Sequence, residues 1–440
     1  MGTISLERIL TADIQTPARY LGNELGAAHK NWDEARVRWV LSYPELYEVG
    51  ASNLGHIILY NVLNQQPRQL CDRTYLPGTD FAQRLRETAT PLFAVESRRA
   101  LTDFDVLGFS LAYELGVTNV LEMLDLARIP LTWAERREHD PLVFAGGPTV
   151  TSNPEPFAEF FDFFAFGDGE ELLPEIGLVL EEGKNLTREA LLADLAQIPG
   201  VYVPRFYQSD GILLKPVREG IPERVLRRVA TPIPEYSIGL VPYIETVHDR
   251  LALEVRRGCT RGCRFCQPGM LTRPARDVDP DAVVETVLTG LQATGFNEFS
   301  LLSLSCSDYL SLPAVGVQLH NALAADTVSL SLPSQRVDRF SDELAGIIGG
   351  ARKPSLTFAP EAGTQRLRDV VNKGLTNADL LRGVKTAHEH GWDMVKLYFM
   401  IGLPTEGDED VRGVVETGIR TIQAGRKAAK GKPAEVTVSV

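Results

Sequence analysis

The chain has 440 residues, of which 44% are hydrophobic and 23% charged, with 37 glycines and 27 prolines and no low-complexity period. This balance excludes a disordered or collagen-like chain, and the length exceeds what one core normally supports, so two or three domains are expected. Lys and Arg total 45 against 58 Asp and Glu, a net charge of −13, which excludes nucleic-acid binding through bulk charge.

No apolar run approaches the ~20 residues of a membrane span. The N-terminus, MGTISLERILTADIQ, lacks the basic start and apolar stretch of a secretory signal. A cytoplasmic protein with no membrane segment is therefore expected.

Residues 1–35 read as an irregular extension. A first α/β domain follows over 36–200. Arg36 to Tyr43 (RVRWVLSY) alternates as a strand, and Ser52 is expected to cap the helical run NLGHIILYNVLN. Further strands are expected at Leu92–Val95, Asp105–Leu111, Leu142–Ala145 and Phe160–Phe166, with a helix at Val117–Ala127 between two of them. Strand and helix in alternation imply a doubly wound, Rossmann-like parallel sheet, whose ligands bind at strand C-termini. Residues 201–249 read as a linker with a hairpin from VYVPRFY to GILLKPV.

A second domain spans 250–440. Strands are expected at Ala252–Arg256, Glu298–Ser305, Val328–Leu332, Ser355–Ala359, Met394–Ile401 and Glu435–Val440. Asp279 and Pro280 open a helix to Ala293, and Ser341 and Thr376 are expected caps of two later helices. Six strand–helix steps make a partial TIM-type (β/α)6 barrel, with its chemistry at the strand C-termini. No helix follows the sixth strand, a pattern that fits a missing C-terminal part.

Three of the five cysteines crowd one window, Cys259-x-x-x-Cys263-x-x-Cys266, directly after the first barrel strand. Clustered, odd-numbered cysteines point to metal ligation. Three thiolates on one loop can each hold one iron of a cubane and leave the fourth iron open to a small molecule. Structural zinc and a run of reactive thiols are the alternatives, but zinc favours paired spacings and a fourth ligand that nothing nearby supplies. Gly258 and Gly262 suit a tight loop, and Arg256, Arg257, Arg261 and Arg264 suit a negative cluster. Cys71 and Cys306 read as small apolar residues. The aromatic stretch Phe160–Phe166 reads as a buried strand, and Arg426–Lys432 (RKAAKGK) as a solvated loop, the first candidate with the cluster loop for phosphate contact.

With this triad after barrel strand one and Phe265 before its third cysteine, the sequence resembles the radical S-adenosylmethionine (SAM) superfamily. The resemblance implies a [4Fe–4S] cluster on Cys259, Cys263 and Cys266, with SAM chelated to the open iron. It also implies reductive cleavage of SAM to a 5′-deoxyadenosyl radical, driven by an electron donor such as flavodoxin or ferredoxin. Phe265 and Gly402 are expected at the adenine. Ser303 and Ser305 stand where the superfamily often has a Gly-Gly-Glu motif for the SAM amino group. Ser334, Arg336, Glu361 and Arg366 are expected around its ribose, amino group and carboxylate. A non-catalytic iron–sulfur or SAM-binding sensor is the alternative reading. The substrate, a small molecule or an RNA or protein to be modified, is not specified by any motif.

The doubly wound domain before the barrel resembles the branch with an N-terminal cobalamin-binding-like domain. Phe109-Ser110, Gly146-Gly147-Pro148 and Gly167-Asp168-Gly169-Glu170 carry this, and imply a corrin cleft at Ser110, Gly146, Gly147 and Gly167. The segments PARYLGNE, SYPELYEVGASNLG, SNPEPF and RRGCTRGCRFCQPGM resemble one widespread bacterial family of this branch, whose members usually run further at the C-terminus. The Asp-x-His-x-x-Gly motif of many cobalamin domains is missing; neither His29 nor His56 fits it. Possible outcomes implied by the branch include methyl transfer.

Overall fold

The computed structural model describes residues 2–324, 326–333, 335–348, 356–429 and 434–440. They form two units, Met1–Ala230 with Gly239–Asp249, and Thr231–Ile238 with Arg250–Val440. The stretch 1–35 packs into unit 1, where Leu6, Ile9, Ile14 and Tyr20 join the core. Residues 231–238 pack with unit 2 instead.

Unit 1 is one sheet of six strands: β1 (Val37–Tyr43), β2 (Gln69–Tyr75), β3 (Val106–Ser110), β4 (Leu142–Gly146), β5 (Phe163–Ala165) and β6 (Val201–Tyr202). Their order is β2-β1-β3-β4-β5-β6, parallel except for β6. The direction of winding therefore reverses between β1 and β3, the switch point where such sheets bind ligands. Its helices are α1 (Tyr47–Gly50), α2 (Leu54–Gln65), α3 (Thr79–Glu87), α4 (Gly116–Ala127), α5 (Pro148–Ser152), α6 (Gly169–Glu182) and α7 (Arg188–Leu195). Alternate residues of each strand feed opposite apolar layers. Val40, Leu107 and Val143 lie in one, with Met123 and Leu124 of α4. Trp39, Val106 and Phe144 lie in the other, with Leu172 and Ile176 of α6. The expected hairpin is present as β7 (Tyr207–Ser209) and β8 (Leu214–Pro216).

Three local expectations are corrected. Leu92–Val95 is not a strand; its only bridge is Phe93 to Ala100, and the amides of Ala94 and Val95 donate to Arg99 and Arg73 carbonyls. Strand β2 was not expected, because Asp72 and Arg73 interrupt its pattern. Asn53, not Ser52, caps α2, accepting from the His56 amide at 3.0 Å, while Ser52 donates to the Glu48 carbonyl.

Two buried ionic nodes hold unit 1. The Arg73 guanidinium donates to Glu24 at 2.7 Å, to Tyr75 at 3.0 Å and to Glu96. Asp72 accepts from the Glu96 and Ser97 amides at 3.0 and 2.8 Å. His56 sits beside this node, edge-on to Tyr43 and Tyr75, fully enclosed, and burial drives its pKa down to about 3. It is therefore a neutral core residue. In the second node, Arg136, Arg188 and Arg205 converge on the Asp162 carboxylate at 3.0, 2.7 and 2.8 Å.

Unit 2 contains β9 (Leu251–Arg257), β10 (Arg276–Asp277), β11 (Glu298–Ser303), β12 (Ser329–Ser331), β13 (Leu356–Glu361), β14 (Met394–Phe399) and β15 (Glu435–Ser439). Its helices are α8 (Gln267–Leu271), α9 (Pro280–Thr294), α10 (Leu312–Ala322), α11 (Asp342–Ile347), α12 (Gln365–Val370), α13 (Asn377–Glu389) and α14 (Asp408–Ala428). Asp279, Ser341 and Thr376 cap α9, α11 and α13 as expected, the last with a capping box. β9, β11 and β12 are parallel, as are β13, β14 and β15, and β10 adds antiparallel to β9. Among the described residues no ladder joins β12 to β13, so the barrel is not closed into one run of six strands. One apolar core nevertheless runs through both sets, from Leu253 and Val255 past Leu301 and Phe358 to Leu397.

The expected start of the fourth strand, Ser355, the candidate Ser334 and the end of the basic segment Arg426–Lys432 lie outside the described residues. Among the described residues no helix is long and apolar enough to cross a membrane.

Replacing Asp162 with Asn leaves three buried or half-buried guanidiniums sharing one neutral amide. Breaking a buried pair in this way costs about 3–5 kcal/mol, so Asp162→Asn should fall by about that amount in denaturant unfolding. An unchanged midpoint would show that the node does not hold the unit.

Candidate metal and cofactor site

The C-terminal ends of the unit 2 strands are joined by a continuous run of polar contacts. It begins in the thiol loop after β9. Gly258 opens that loop at φ +83, and a Cβ there would lie 2.6 Å from the Thr272 and Pro274 carbonyls, so only glycine fits. Arg261 forms an ion pair with Asp308, just past β11, and lies 3.9 Å from Asp338, past β12. Ser305 donates to Asp308 at 2.8 Å. Burial alone would push the Asp308 carboxyl up, but the bonds from Arg261 and Ser305 hold it below its ordinary value. Ser307 donates to Gln335 at 2.8 Å and accepts the Arg336 amide at 3.1 Å, tying the end of β11 to that of β12.

Arg336 carries the run onward. Its guanidinium donates to Asp338 at 2.9 Å and to the carbonyls of Lys373 and Gly374 at 3.2 and 3.3 Å. Lys373 in turn pairs with Glu361, at the end of β13, at 2.9 Å. The Glu361 backbone sits at φ 68, a left-handed conformation uncommon for a non-glycine residue, although Thr16, Ala89, Arg98, Arg128 and Thr405 adopt it here as well. The Glu361 carbonyl accepts the Met400 amide just past β14, at 2.7 Å.

The segment 370–374 also clasps the thiol loop. The Arg264 amide donates to the Val371 carbonyl at 3.0 Å, and the Asn372 side chain to the Gly262 carbonyl at 2.9 Å. Lys373 stands 5.9 Å from the Phe265 ring.

Cys259, Cys263 and Cys266 are free thiols, half-buried. The Arg261 and Gly269 amides donate to the sulfurs of Cys259 and Cys266 at 3.4 Å each. Burial pushes the Cys263 thiol up, and the cations Lys373 and Arg336 pull the other way. Among the described residues no three His, Cys, Asp or Glu side chains converge as ligands of a single ion. Three half-buried thiols on one loop, two of them met by backbone N–H donors, suit a cluster that takes one thiolate at each of three corners.

The other expected residues divide. Glu361, Arg336 and Phe265 belong to this run of contacts. Ser303 accepts the Ser305 amide at 3.1 Å, and Ser305 is buried against Asp308, so both hydroxyls serve the loop itself. Arg366 is turned away to Asp410 and to the Thr405 carbonyl at 2.8 Å. Gly402, at φ +82, is open on its Cα face, and its amide donates to Glu406 at 3.0 Å. The arginines of the loop are already engaged: Arg256 with Asp277, Arg257 with Glu254, Arg261 with Asp308 and Arg264 with the Val370 carbonyl. Lys373, Asn372 and Asp308 were not expected. The triple Asn372-Lys373-Gly374, with Asn and Gly suited to positive φ, is the one sequence signal that marks a tight, specific turn there.

In unit 1, two of the four glycine and serine positions are taken by the chain itself. A Cβ on Gly167 would meet the Arg228 carbonyl at 2.1 Å, and one on Gly147 the Leu111 carbonyl at 2.6 Å. Ser110 and Gly146, paired in register at the ends of β3 and β4, remain half-exposed at the strand ends. They fit a ligand edge; His56, enclosed in the core, fits no axial ligand.

Because Gly258 has no room for a Cβ, Gly258→Ala should lower the iron retained after anaerobic reconstitution severalfold. Gly295→Ala, at φ +74 but facing open space, should retain iron like the wild type. Equal iron in both variants would show that the loop tolerates distortion.

Two family profiles match the chain. The one described as radical SAM proteins, N-terminal, covers residues 55–204, and the radical SAM superfamily profile covers 253–418. An uncharacterized protein of Methanocaldococcus jannaschii, MJ0966, is 27% identical over 376 residues, 85% of this chain and 71% of its own length. The cobalamin-dependent radical SAM methyltransferase TokK of Streptomyces tokunonensis is 28% identical over 209 residues, 46% of this chain and 28% of its own. Among solved structures, the radical SAM methyltransferase TsrM of Kitasatospora setae, with cobalamin and a [4Fe–4S] cluster bound, superposes with a TM-score of 0.60 at 16% identity. That match covers 92% of this chain and 72% of TsrM. With both profiles on one chain, over residues 55–204 and 253–418, and the fold of a methyltransferase solved with cobalamin and a [4Fe–4S] cluster across nearly all of it, this chain belongs to the radical SAM superfamily.

Proposed function

We propose that Cys259, Cys263 and Cys266 each hold one iron of the [4Fe–4S] cluster of this radical SAM enzyme, and that its reaction is a cobalamin-assisted methyl transfer. The observation that carries the ligand assignment is the clasp of segment 370–374 on the thiol loop. It ties the loop of three half-buried thiols to the segment whose Lys373 pairs with Glu361. When bound and reduced, the cluster held by these thiols would supply the electron for cleavage of SAM to methionine and a 5′-deoxyadenosyl radical, and cobalamin in the unit 1 cleft would supply a methyl carrier.

The chain's own residues position and enclose. Gly258 and Gly262 turn the loop, and the Arg261 and Gly269 amides orient two sulfurs. Phe265, about two-fifths exposed, offers an apolar face for the adenine. Glu361, held by Lys373 in a strained backbone, offers a carboxylate to the SAM ribose or amino group. The methyl-transfer part rests on the half-exposed Ser110 and Gly146 at the ends of β3 and β4, next to the switch point between β1 and β3, and on the cobalamin-dependent enzymes with the same fold. The electron would come from a flavodoxin or ferredoxin, and the substrate class stays open between small molecules and RNA or protein targets.

The test is anaerobic reconstitution, reduction, and chromatography of SAM products with and without added cobalamin. The wild type should release 5′-deoxyadenosine, and Cys263→Ala none. S-Adenosylhomocysteine should form only with cobalamin present. Release of 5′-deoxyadenosine without any S-adenosylhomocysteine would remove the methyl-transfer part. A protein that binds SAM and cleaves none would favour the sensor reading.

A further inference from the structure

The arginines of the thiol loop are each tied to a partner of their own. Arg256, Arg257 and Arg261 are each neutralised by a carboxylate, Asp277, Glu254 and Asp308, and Arg264 turns to the Val370 carbonyl. One cation reaches the loop from elsewhere in the sequence: Lys373, after α12, stands 5.9 Å from the Phe265 ring, on the segment whose Val371 carbonyl accepts the Arg264 amide and whose Asn372 side chain donates to the Gly262 carbonyl. Arg336 is fixed by Asp338 and by the Lys373 and Gly374 carbonyls, so it holds the backbone that carries Lys373. Lys373 is fixed by Glu361 at 2.9 Å, both side chains being about one-seventh exposed, so bulk salt screens the pair only in part.

We propose that Lys373 is a positioning residue that sets the reduction potential of the cluster, with Glu361 as its counter-charge and Arg336 and Asn372 fixing its backbone. This rests on the three-thiolate cluster proposed above. Reduction adds one electron, taken from an external donor, to an already negative cluster. A nearby ammonium stabilises the reduced form more than the oxidised one, and a nearby carboxylate does the reverse. The pair therefore places opposing charges beside one redox centre, and each can be removed alone.

The experiment is a redox titration of the reconstituted holoprotein followed by electron paramagnetic resonance, with iron and sulfide measured in every sample. Lys373→Gln should lower the midpoint potential, so that at a fixed solution potential the ratio of reduced to oxidised cluster falls about tenfold, about 59 mV for one electron. Lys373→Arg should restore it. Glu361→Gln should shift the potential the opposite way, and the double variant should return near the wild type. A role in folding alone predicts no such reversal of sign. Shifts in the same direction for both single variants, or none in either while iron content stays normal, would overturn the proposal. A wild-type protein that assembles no cluster would overturn the underlying ligand assignment and this proposal with it.

Discussion

The thiol loop is held to the rest of unit 2 by the Arg264 amide on the Val371 carbonyl, the Asn372 side chain on the Gly262 carbonyl, the Arg264 guanidinium on the Val370 carbonyl and the Arg261–Asp308 ion pair. The loop itself has little to keep it in place. It is short, glycine-bearing, half-exposed, and its thiols are of no use to an apolar core. Docking it on a segment some hundred residues later fixes three sulfurs in one neighbourhood, and brings Glu361 and Lys373 with that segment. The left-handed φ of Glu361 is a backbone cost, whereas Asn372 takes the same region at little cost.

Charge is managed in the same way in both units: by pairing it where it is buried. In unit 1, one aspartate gathers three arginines and one arginine gathers two glutamates and a tyrosine, each with little access to water. Removal of one partner would strand the others, so these nodes specify the arrangement of distant segments rather than add much net stability. The Arg73 node ties Glu24, from the stretch before β1, to the sheet. In unit 2 the same habit pairs the arginines of the thiol loop with Asp277, Glu254 and Asp308, and pairs Arg336 with Asp338 and Lys373 with Glu361 nearby.

The strands and caps were largely legible because they depend on local pattern: alternation in RVRWVLSY, Asp279 before Pro280, Ser341 and Thr376 ahead of their helices. β2 was not, since QLCDRTY carries Asp-Arg where a buried strand should be apolar; the partners that make those charges acceptable lie at Glu24 and Glu96. Leu92–Val95 misled in the opposite sense, as an apolar run that supports the Arg73 backbone without joining the ladder. At the candidate site the triad is legible from spacing alone, because one short loop carries it. Lys373 and Asp308 are not, because their role comes from the fold bringing strand ends together. Ser305 and Arg366 lie at the expected strand ends, yet their polar atoms are spent on Asp308 and Asp410, which no spacing in the chain foretells.

The central claim is that three thiolates of one loop hold a four-iron cluster with one iron left for SAM. Mössbauer spectroscopy of the 57Fe-reconstituted protein, recorded before and after SAM is added, tests it most directly. The expected result is a [4Fe–4S] spectrum in which SAM alters one iron of the four and leaves three unchanged. Four irons indifferent to SAM, or a protein that takes up zinc in place of iron, would contradict it.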